Sequence, residues 1–365
     1  MAIARQPKVI GMLTSQQKVF RRFWYATHKL DKLLDGPKPF TLLGEPIVLF
    51  LDQNGEPAAL MDRCCHRTAK LSKGWSNDGK IVCGYHGWTY DRSGVLVGIP
   101  QFADDQPLPK VGVRAYHCAA RYGYAWVCLG EPLSPIPVVP EENMPGFRRI
   151  HQFHEEWKAA PLRLMENSFD TAHLSFVHKG TFGQLNRPKP EKYEIHETDF
   201  GFAGETITAV NNPPHAARIT GTSEPTTRRH MRSAWYMPFC RTLDIEYPSG
   251  IRHIIFNSAT PIDDKSMMVT QILFRNDTEA DCPAQELIDW DAAIIEEDRE
   301  ILEATDPDAP LDVTRRQEAH MPSDRPGMIM RRRLLKLLKE HGEEEVTRAP
   351  EFMTYADAES LVSDP

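Results

Sequence analysis

The sequence predicts an α+β protein: an all-β N-terminal domain, then a larger domain in which an antiparallel sheet is framed by helices. Three observations carry this. Between residues 20 and 130 the apolar residues come in short β-branched or aromatic runs, 40–51 (FTLLGEPIVLFL), 57–62, 80–83 and 123–129 (GYAWVCL), bounded by Gly, Pro or Asn-Gly. Next comes PLSPIPVVPEENMPG (132–146), five prolines in fifteen residues. Proline fixes φ and removes a donor, so this stretch reads as an extended linker. Beyond it, strand-like segments at 150–157 and within 193–275 (FGFAGETITAV, RHIIFNSATPI, SMMVTQILFR) are mixed with helical segments at 161–178, 284–304 and 330–341. The predicted domains are 20–131 and 147–365, joined by 132–146. Asn54-Gly55 is a predicted hairpin turn.

Composition narrows the function. The chain has 365 residues and a net charge of −8, which argues against nucleic acid as the main partner. No apolar run approaches the roughly 18–20 residues that span a bilayer, so no integral membrane segment is expected. The first 19 residues lack the apolar core of a secretory signal, and the acid-free stretch 1–30 reads as a ragged terminus. Seven cysteines, an odd number, in a large chain without a signal point to a reducing compartment, the cytoplasm. Cys118, Cys128, Cys240 and Cys282 lack metal-ligand spacing and read as ordinary thiols.

Cys64, His66, Cys83 and His86 differ. They form C-x-H, sixteen residues, then C-x-x-H. A disulfide needs no histidines, and a zinc finger usually pairs cysteine with cysteine and histidine with histidine. Here each loop offers one of each, as a Rieske [2Fe–2S] centre requires: two thiolates on one iron, two imidazoles on the other. Gly74, Gly84 and Gly87 suit loops whose backbone approaches a cluster. A zinc site and four unrelated loop residues are the competing readings.

A second constellation lies in APLRLMENSFDTAHLSFVHKG. Asn167, Asp170 and His173 are three apart and would share a helix face. His178 is five beyond His173, about 140° away on an ideal helix. Both can reach one metal only if the helix ends or bulges between them. A buried, hydrogen-bonded His is the bland alternative. A cluster that accepts electrons needs an acceptor, and a 2-His-1-carboxylate iron site with open positions supplies one. The carboxylate is sought in LIDWDAAIIEEDREILEAT (287–305), whose Leu287, Trp290, Ile294, Ile295, Ile301 and Leu302 form an apolar stripe. Asp298 falls near its centre, where an unpaired carboxylate is costly unless a metal or a donor meets it. Glu297, at the stripe's edge, is the second choice.

These motifs resemble a known family. C-x-H-R followed by C-x-Y-H-G-W-x-Y resembles the Rieske domain of the ring-hydroxylating, non-haem iron oxygenases, with Cys65 and Gly84 where the family often has proline. N-x-x-D-x-x-H-x4-H and the acid in EED-R-x-I-L resemble that family's mononuclear iron motif. PLRLMENSFDTAHLSFVHKG and HMPSDR further resemble the oxygenases of saxitoxin biosynthesis and the pheophorbide-type group. The resemblance implies a helix-grip catalytic domain, iron ligands His173, His178 and Asp298, and cluster ligands Cys64, His66, Cys83 and His86. It implies that Asp170 bridges the cluster of one protomer to the iron of its neighbour, with Asn167 close by.

The implied activity is that of a terminal oxygenase. It hydroxylates or oxidatively demethylates a small, cyclic organic substrate with O2. Electrons originate in NAD(P)H and arrive through a ferredoxin or flavin reductase, since this chain shows no G-x-G-x-x-G after a strand. An intersubunit bridge implies a homo-oligomer, most simply a trimer. Residues 61–121 hold nine Lys/Arg against five Asp/Glu, net +4, a charge that would steer an acidic ferredoxin. Trp157, Met165, Phe176, Trp235, Tyr236, Met237 and Phe239 are candidate pocket residues. The basic stretch MRRRLLKLLKEHG reads as an ordinary terminal helix, with membrane contact as the alternative. Competing functions are a cis-dihydroxylating dioxygenase, a Rieske-type electron carrier and a zinc-stabilised binding module.

Overall fold

A computed structural model describes residues 14–189, 192–306, 310–316 and 318–346. The acid-free N-terminal stretch and the C-terminal end of the predicted second domain lie partly outside them. The chain divides into two compact units, 18–136, and 137–365 together with the N-terminal residues up to 17. Residues 14–17 are tied to the second unit: the Ser15 N–H donates to Asp264 at 2.8 Å and the Gln17 amide to the Glu344 carbonyl at 3.0 Å.

The first unit holds ten strands: β1 (Tyr25–Lys29), β2 (Lys38–Leu42), β3 (Glu45–Leu51), β4 (Pro57–Met61), β5 (Trp75–Asn77), β6 (Lys80–Val82), β7 (Thr89–Tyr90), β8 (Leu96–Gly98), β9 (Ala115–Arg121) and β10 (Tyr124–Cys128). The run 40–51 is broken by Leu43 and Gly44 at positive φ, so it gives parts of two strands. The Asn54-Gly55 turn joins β3 to β4, with Gly55 at φ +77°. The Asp52 carboxylate accepts the N–H groups of Asn54 and Glu56, an Asx turn that fixes the loop. Six strands form one antiparallel sheet in the order β1-β10-β9-β4-β3-β2, and β5-β6-β7-β8 form a second. Val48, Phe50, Leu60, Leu71, Ile81 and Tyr90 fill a core that also contains Cys64 and Cys83.

The second unit holds β11 (Arg148–Trp157), α1 (Pro161–Phe169), β12 (Lys192–Thr198), β13 (Gly201–Asn211), α2 (Ala217–Thr220), β14 (Thr226–Tyr236), β15 (Cys240–Glu246), β16 (Arg252–Pro261), β17 (Met267–Arg275), α3 (Ala284–Glu303) and α4 (Arg325–Glu340). Its seven strands make an antiparallel sheet in the order β11-β17-β16-β15-β14-β13-β12. The sheet and α3 share a core of Ile150, Ile255, Leu273, Leu287 and Trp290. Buried Arg331 on α4 pairs with Glu166 on α1 and with Glu318, fastening the two helices. Arg333 donates to the carbonyls of Thr198 and Gly201, so part of the basic face of α4 is engaged by the β12–β13 turn.

The helix expected over 161–178 stops at Phe169. Asp170 is extended (φ −74°, ψ 128°), and its carboxylate accepts the N–H groups of Ala172 and His173. That local capping competes with helix continuation. Short 3-10 turns follow at His173–Ser175 and Val177–Gly180. Asn167, Asp170 and His173 therefore do not share one helix face.

Candidate metal centres and substrate cavity

In the first unit, Cys64 and Cys83 are buried at 1% exposure while His66 is exposed and His86 half-buried. Cys64 lies on the loop after β4, and Cys83 and His86 lie on the loop between β6 and β7. The first loop runs close to β6 and the loop after it: a Cβ on Gly74 would sit 1.8 Å from the Val82 carbonyl oxygen, and one on Gly84 2.8 Å from the Lys73 carbonyl oxygen, so glycine fits at both. The His66 and His86 ring centres are 4.6 Å apart, and His66 stacks on Trp88 at 4.5 Å. Burial pushes the Cys83 thiol up, opposed by the N–H groups of Tyr85 and His86 and reinforced by the neighbouring Cys64. All seven cysteines are free, Cys64 and Cys83 among them. Two adjacent buried thiols with backbone donors on one side and two close imidazoles on the other fit a [2Fe–2S] group with thiolate ligation inside and histidine ligation outside. Cys65 is exposed, and its sulfur lies 3.3 Å from the Tyr90 hydroxyl that also meets Cys64 at 3.1 Å.

In the second unit, His173, His178 and Asp298 each offer a ligand atom, all within 4.8 Å of one another. The Nε2 atoms of His173 and His178 approach Asp298 Oδ1 at 3.5 and 3.4 Å. His178 Nδ1 lies 3.0 Å from Glu297 Oε2, so its proton is held there and Nε2 presents a lone pair. Burial pushes the His178 imidazole down to about 3, helped by His173, Arg229 and Arg241, which keeps it neutral. Burial raises the Asp298 carboxyl, opposed by His173, the Asn167 amide and Arg241. A lone pair aimed at a buried carboxylate oxygen is repulsive unless a proton or a cation lies between them. The donor set of two imidazole nitrogens and one carboxylate oxygen therefore fits iron(II).

Neighbouring groups orient these donors. His173 Nδ1 faces Asp170 Oδ2 at 3.4 Å. Burial acts to raise the Asp170 carboxyl, but His173 and the N–H groups that it accepts outweigh this and hold it below its usual value. Asn167 Nδ2 donates to Asp298 Oδ1 at 3.3 Å. Thr181 donates to Glu297 at 2.8 Å, and a Cβ on Gly180 would come within 2.6 Å of that carboxylate. Glu297 thus meets the far nitrogen of His178, and Asp298 meets both near ones.

The three donors line a cavity between the sheet, α3 and the segment 167–182. Its sheet wall is read off strand alternation: Arg229, Met231 and Ser233 on β14, Arg241, Leu243 and Ile245 on β15, His253 and Ile255 on β16. The expected pocket residues are not its lining. Trp157, Met165, Trp235 and Phe239 are core at no more than 1% exposure, and Phe176 is 57% exposed. Tyr236 and Met237 also lie off this cavity, whose aromatic residues are Phe169, Phe182, Tyr193, Phe202, Tyr247 and Trp290. Ile301 likewise leaves the predicted stripe, at 49% exposure.

Sequence reasoning missed a buried polar chain, part of which lines this cavity. Arg241 donates to Asn257, Asn257 to Gln271, Gln271 to Gln152, and Gln152 to Asp291. Asp291 also meets His253 Nε2 at 2.9 Å, while Arg275 donates to His253 Nδ1 at 3.0 Å. A guanidinium only donates, so His253 carries its proton on Nε2 and gives it to Asp291. Asp291 was detectable: it precedes Asp298 by seven residues, two helical turns, and shares its stripe.

Residues 157–340 match the vanillate O-demethylase oxygenase C-terminal domain, and residues 23–116 match the Rieske [2Fe-2S] domain. The chain belongs to the Rieske non-haem iron oxygenases. It is 28% identical to methylxanthine N1-demethylase NdmA of Pseudomonas putida over 349 residues, 91% of this chain and 93% of that one. Chlorophyllide a oxygenase of Chlamydomonas reinhardtii is 35% identical over 48% of this chain and 27% of its own length. A solved structure of NdmA superposes with a TM-score of 0.74 at 27% identity, covering 90% of this chain and 93% of that one.

Membership settles the broad expectations. This is an α+β enzyme, a Rieske non-haem iron monooxygenase acting as a terminal oxygenase component. Its cofactors are a [2Fe–2S] cluster and mononuclear iron, its co-substrate is O2, and a separate reductase or ferredoxin supplies electrons. The electron-carrier and zinc-module readings fall with the match over 157–340. Among the described residues no helix is long and apolar enough to cross a membrane.

Proposed function

We propose that this oxygenase inserts one oxygen atom from O2 into a C–H bond of a small cyclic molecule, the other leaving as water with two electrons from the reductase and two protons; where that bond belongs to an N- or O-methyl, the hydroxymethyl product breaks into formaldehyde and the N–H or O–H compound. The observation that carries this reading is the convergence of His173, His178 and Asp298 on the wall of a partly apolar cavity. The relatives that demethylate methylxanthines at N1 and N3 support the demethylating form.

The proposed iron ligands are His173, His178 and Asp298, and the proposed cluster ligands are Cys64, His66, Cys83 and His86. Iron held by His173, His178 and Asp298 would supply O2 activation. The chain's own residues prepare it. Glu297 fixes the His178 tautomer, Asn167 steadies Asp298, and Asp170 holds the outer edge of His173. Leu243, Ile255 and Ile294 shield substrate from water. Asp170 is the proposed link to the Rieske domain of a neighbouring protomer, which makes a homotrimer the proposed assembly. The proposed domains are 20–131 and 147–365 with 132–146 between them. The cytoplasm is the proposed compartment, a reading that the seven free thiols support.

The test is anaerobic purification followed by reduction, electron paramagnetic resonance and iron analysis. A rhombic signal with mean g below the free-electron value and about three irons per chain are expected. Turnover under 18O2 with a converted substrate should place one labelled atom in the oxidised product. A featureless spectrum from metal-loaded protein, or two labelled atoms in one product, would overturn the reading.

A further inference from the structure

Among the charged residues lining the cavity, Arg229 stands apart. It is 5% exposed, and its Nε is buried without a partner. Among the described residues it makes no hydrogen bond and no ion pair; its guanidinium lies only over aromatic rings, 4.0 Å from the Phe182 centre and 5.9 Å from that of Tyr247. The other charges have partners. Arg241 donates to Asn257 and to the Ser168 carbonyl, Asp291 accepts from Gln152 and His253, and Asp170 and Asp298 belong to the proposed iron site. A buried guanidinium without an anion is costly, and a stacked ring offsets that only in part.

We propose that Arg229 is the receptor for a carboxylate on the substrate. The inference rests on the oxygenase reading above and narrows its substrate class to cyclic carboxylic acids. Phe182 sets the span between the two ends of such a molecule. Its ring stacks on His178 at 4.8 Å and carries Arg229 at 4.0 Å, so the guanidinium lies no farther from the His178 ring than those two distances together. A carboxylate on a single ring can reach Arg229 while the opposite side of the ring faces the iron ligands. A planar carboxylate also matches the two-pronged donor geometry of a guanidinium.

The probes are benzoate and its neutral isostere benzamide, titrated calorimetrically into the iron- and cluster-loaded full chain. Wild type is expected to bind benzoate at least about 10-fold more tightly than benzamide. Arg229→Met should abolish that preference through loss of benzoate affinity, with benzamide changed by less than about 2-fold, and Arg229→Lys should keep part of the preference. Equal affinities in wild type, binding of neither probe, or an equal loss of both in Arg229→Met would overturn the proposal. Iron content and the cluster spectrum are recorded on the same samples. Normal metal centres without anion preference sink this inference alone, whereas anion preference in protein lacking the Rieske signal sinks the oxygenase reading and leaves the receptor standing.

Discussion

The two proposed metal centres solve opposite problems. The cluster loops bury their anionic donors and expose their neutral ones: Cys64 and Cys83 lie in the core while His66 is exposed and faces half-buried His86. Each loop follows a short strand and is held by local contacts, such as the approach of Gly74 to Val82. The mononuclear site buries an acid and two imidazoles together, drawn from residues 125 positions apart in sequence, His173 and Asp298. It depends on outer partners for each donor: Asp170, Asn167 and Glu297. A loop-built centre is robust to distant change. A centre spanning elements that meet only after folding answers to every group that orients it.

That contrast can be broken or sharpened by mutation. Asp298→Ala should give the largest effect. Iron should fall from about three to about two per chain with the cluster spectrum unchanged. Retention of the third iron would move the ligand to another acid. Asp170→Asn should keep both centres and reduce turnover by at least about 100-fold, because it alters the edge of His173 and not a ligand. Normal turnover would remove Asp170 from electron delivery. Glu297→Gln exchanges a carboxylate acceptor for an amide at His178 Nδ1. A loss of about 10- to 100-fold in iron affinity is expected, and an unchanged affinity would mean that the His178 tautomer is fixed by other groups. Cys65→Ser should give the smallest effect: an unaltered cluster spectrum and a stability change within about 0.5 kcal/mol. A shifted spectrum would show that this exposed thiol tunes the cluster through Tyr90.

The distribution of what was legible follows the same line. The C-x-H and C-x-x-H loops stand out in the sequence as proposed ligand loops because spacing within a loop is a local property. Asp298 was readable because one helix carries its own periodicity, so a lone acid on an apolar stripe stands out. The helix over 161–178 was misread because the side chain of Asp170 caps two N–H groups and ends the turn, which propensity alone does not reveal. The pocket aromatics were misassigned because hydrophobicity cannot separate a core residue from a cavity wall: Trp157 and Trp235 are fully buried in packing, while Phe182 and Trp290 face the cavity. Arg229 was hidden because β14 carries charges on both faces, Arg228, Arg229 and Arg232 among them, and the sequence does not say which face is inward.

By itself, then, the sequence determined the two-part α+β plan, the candidate donors and the class of chemistry, since each rests on short-range spacing or on the period of one element. Only the tertiary structure decided which acid meets the histidines, which residues wall the cavity, and which charge inside it lacks a partner. Those depend on how strands far apart in sequence register against each other and against α3. A one-residue change in that register would turn every one of their side chains to the opposite face.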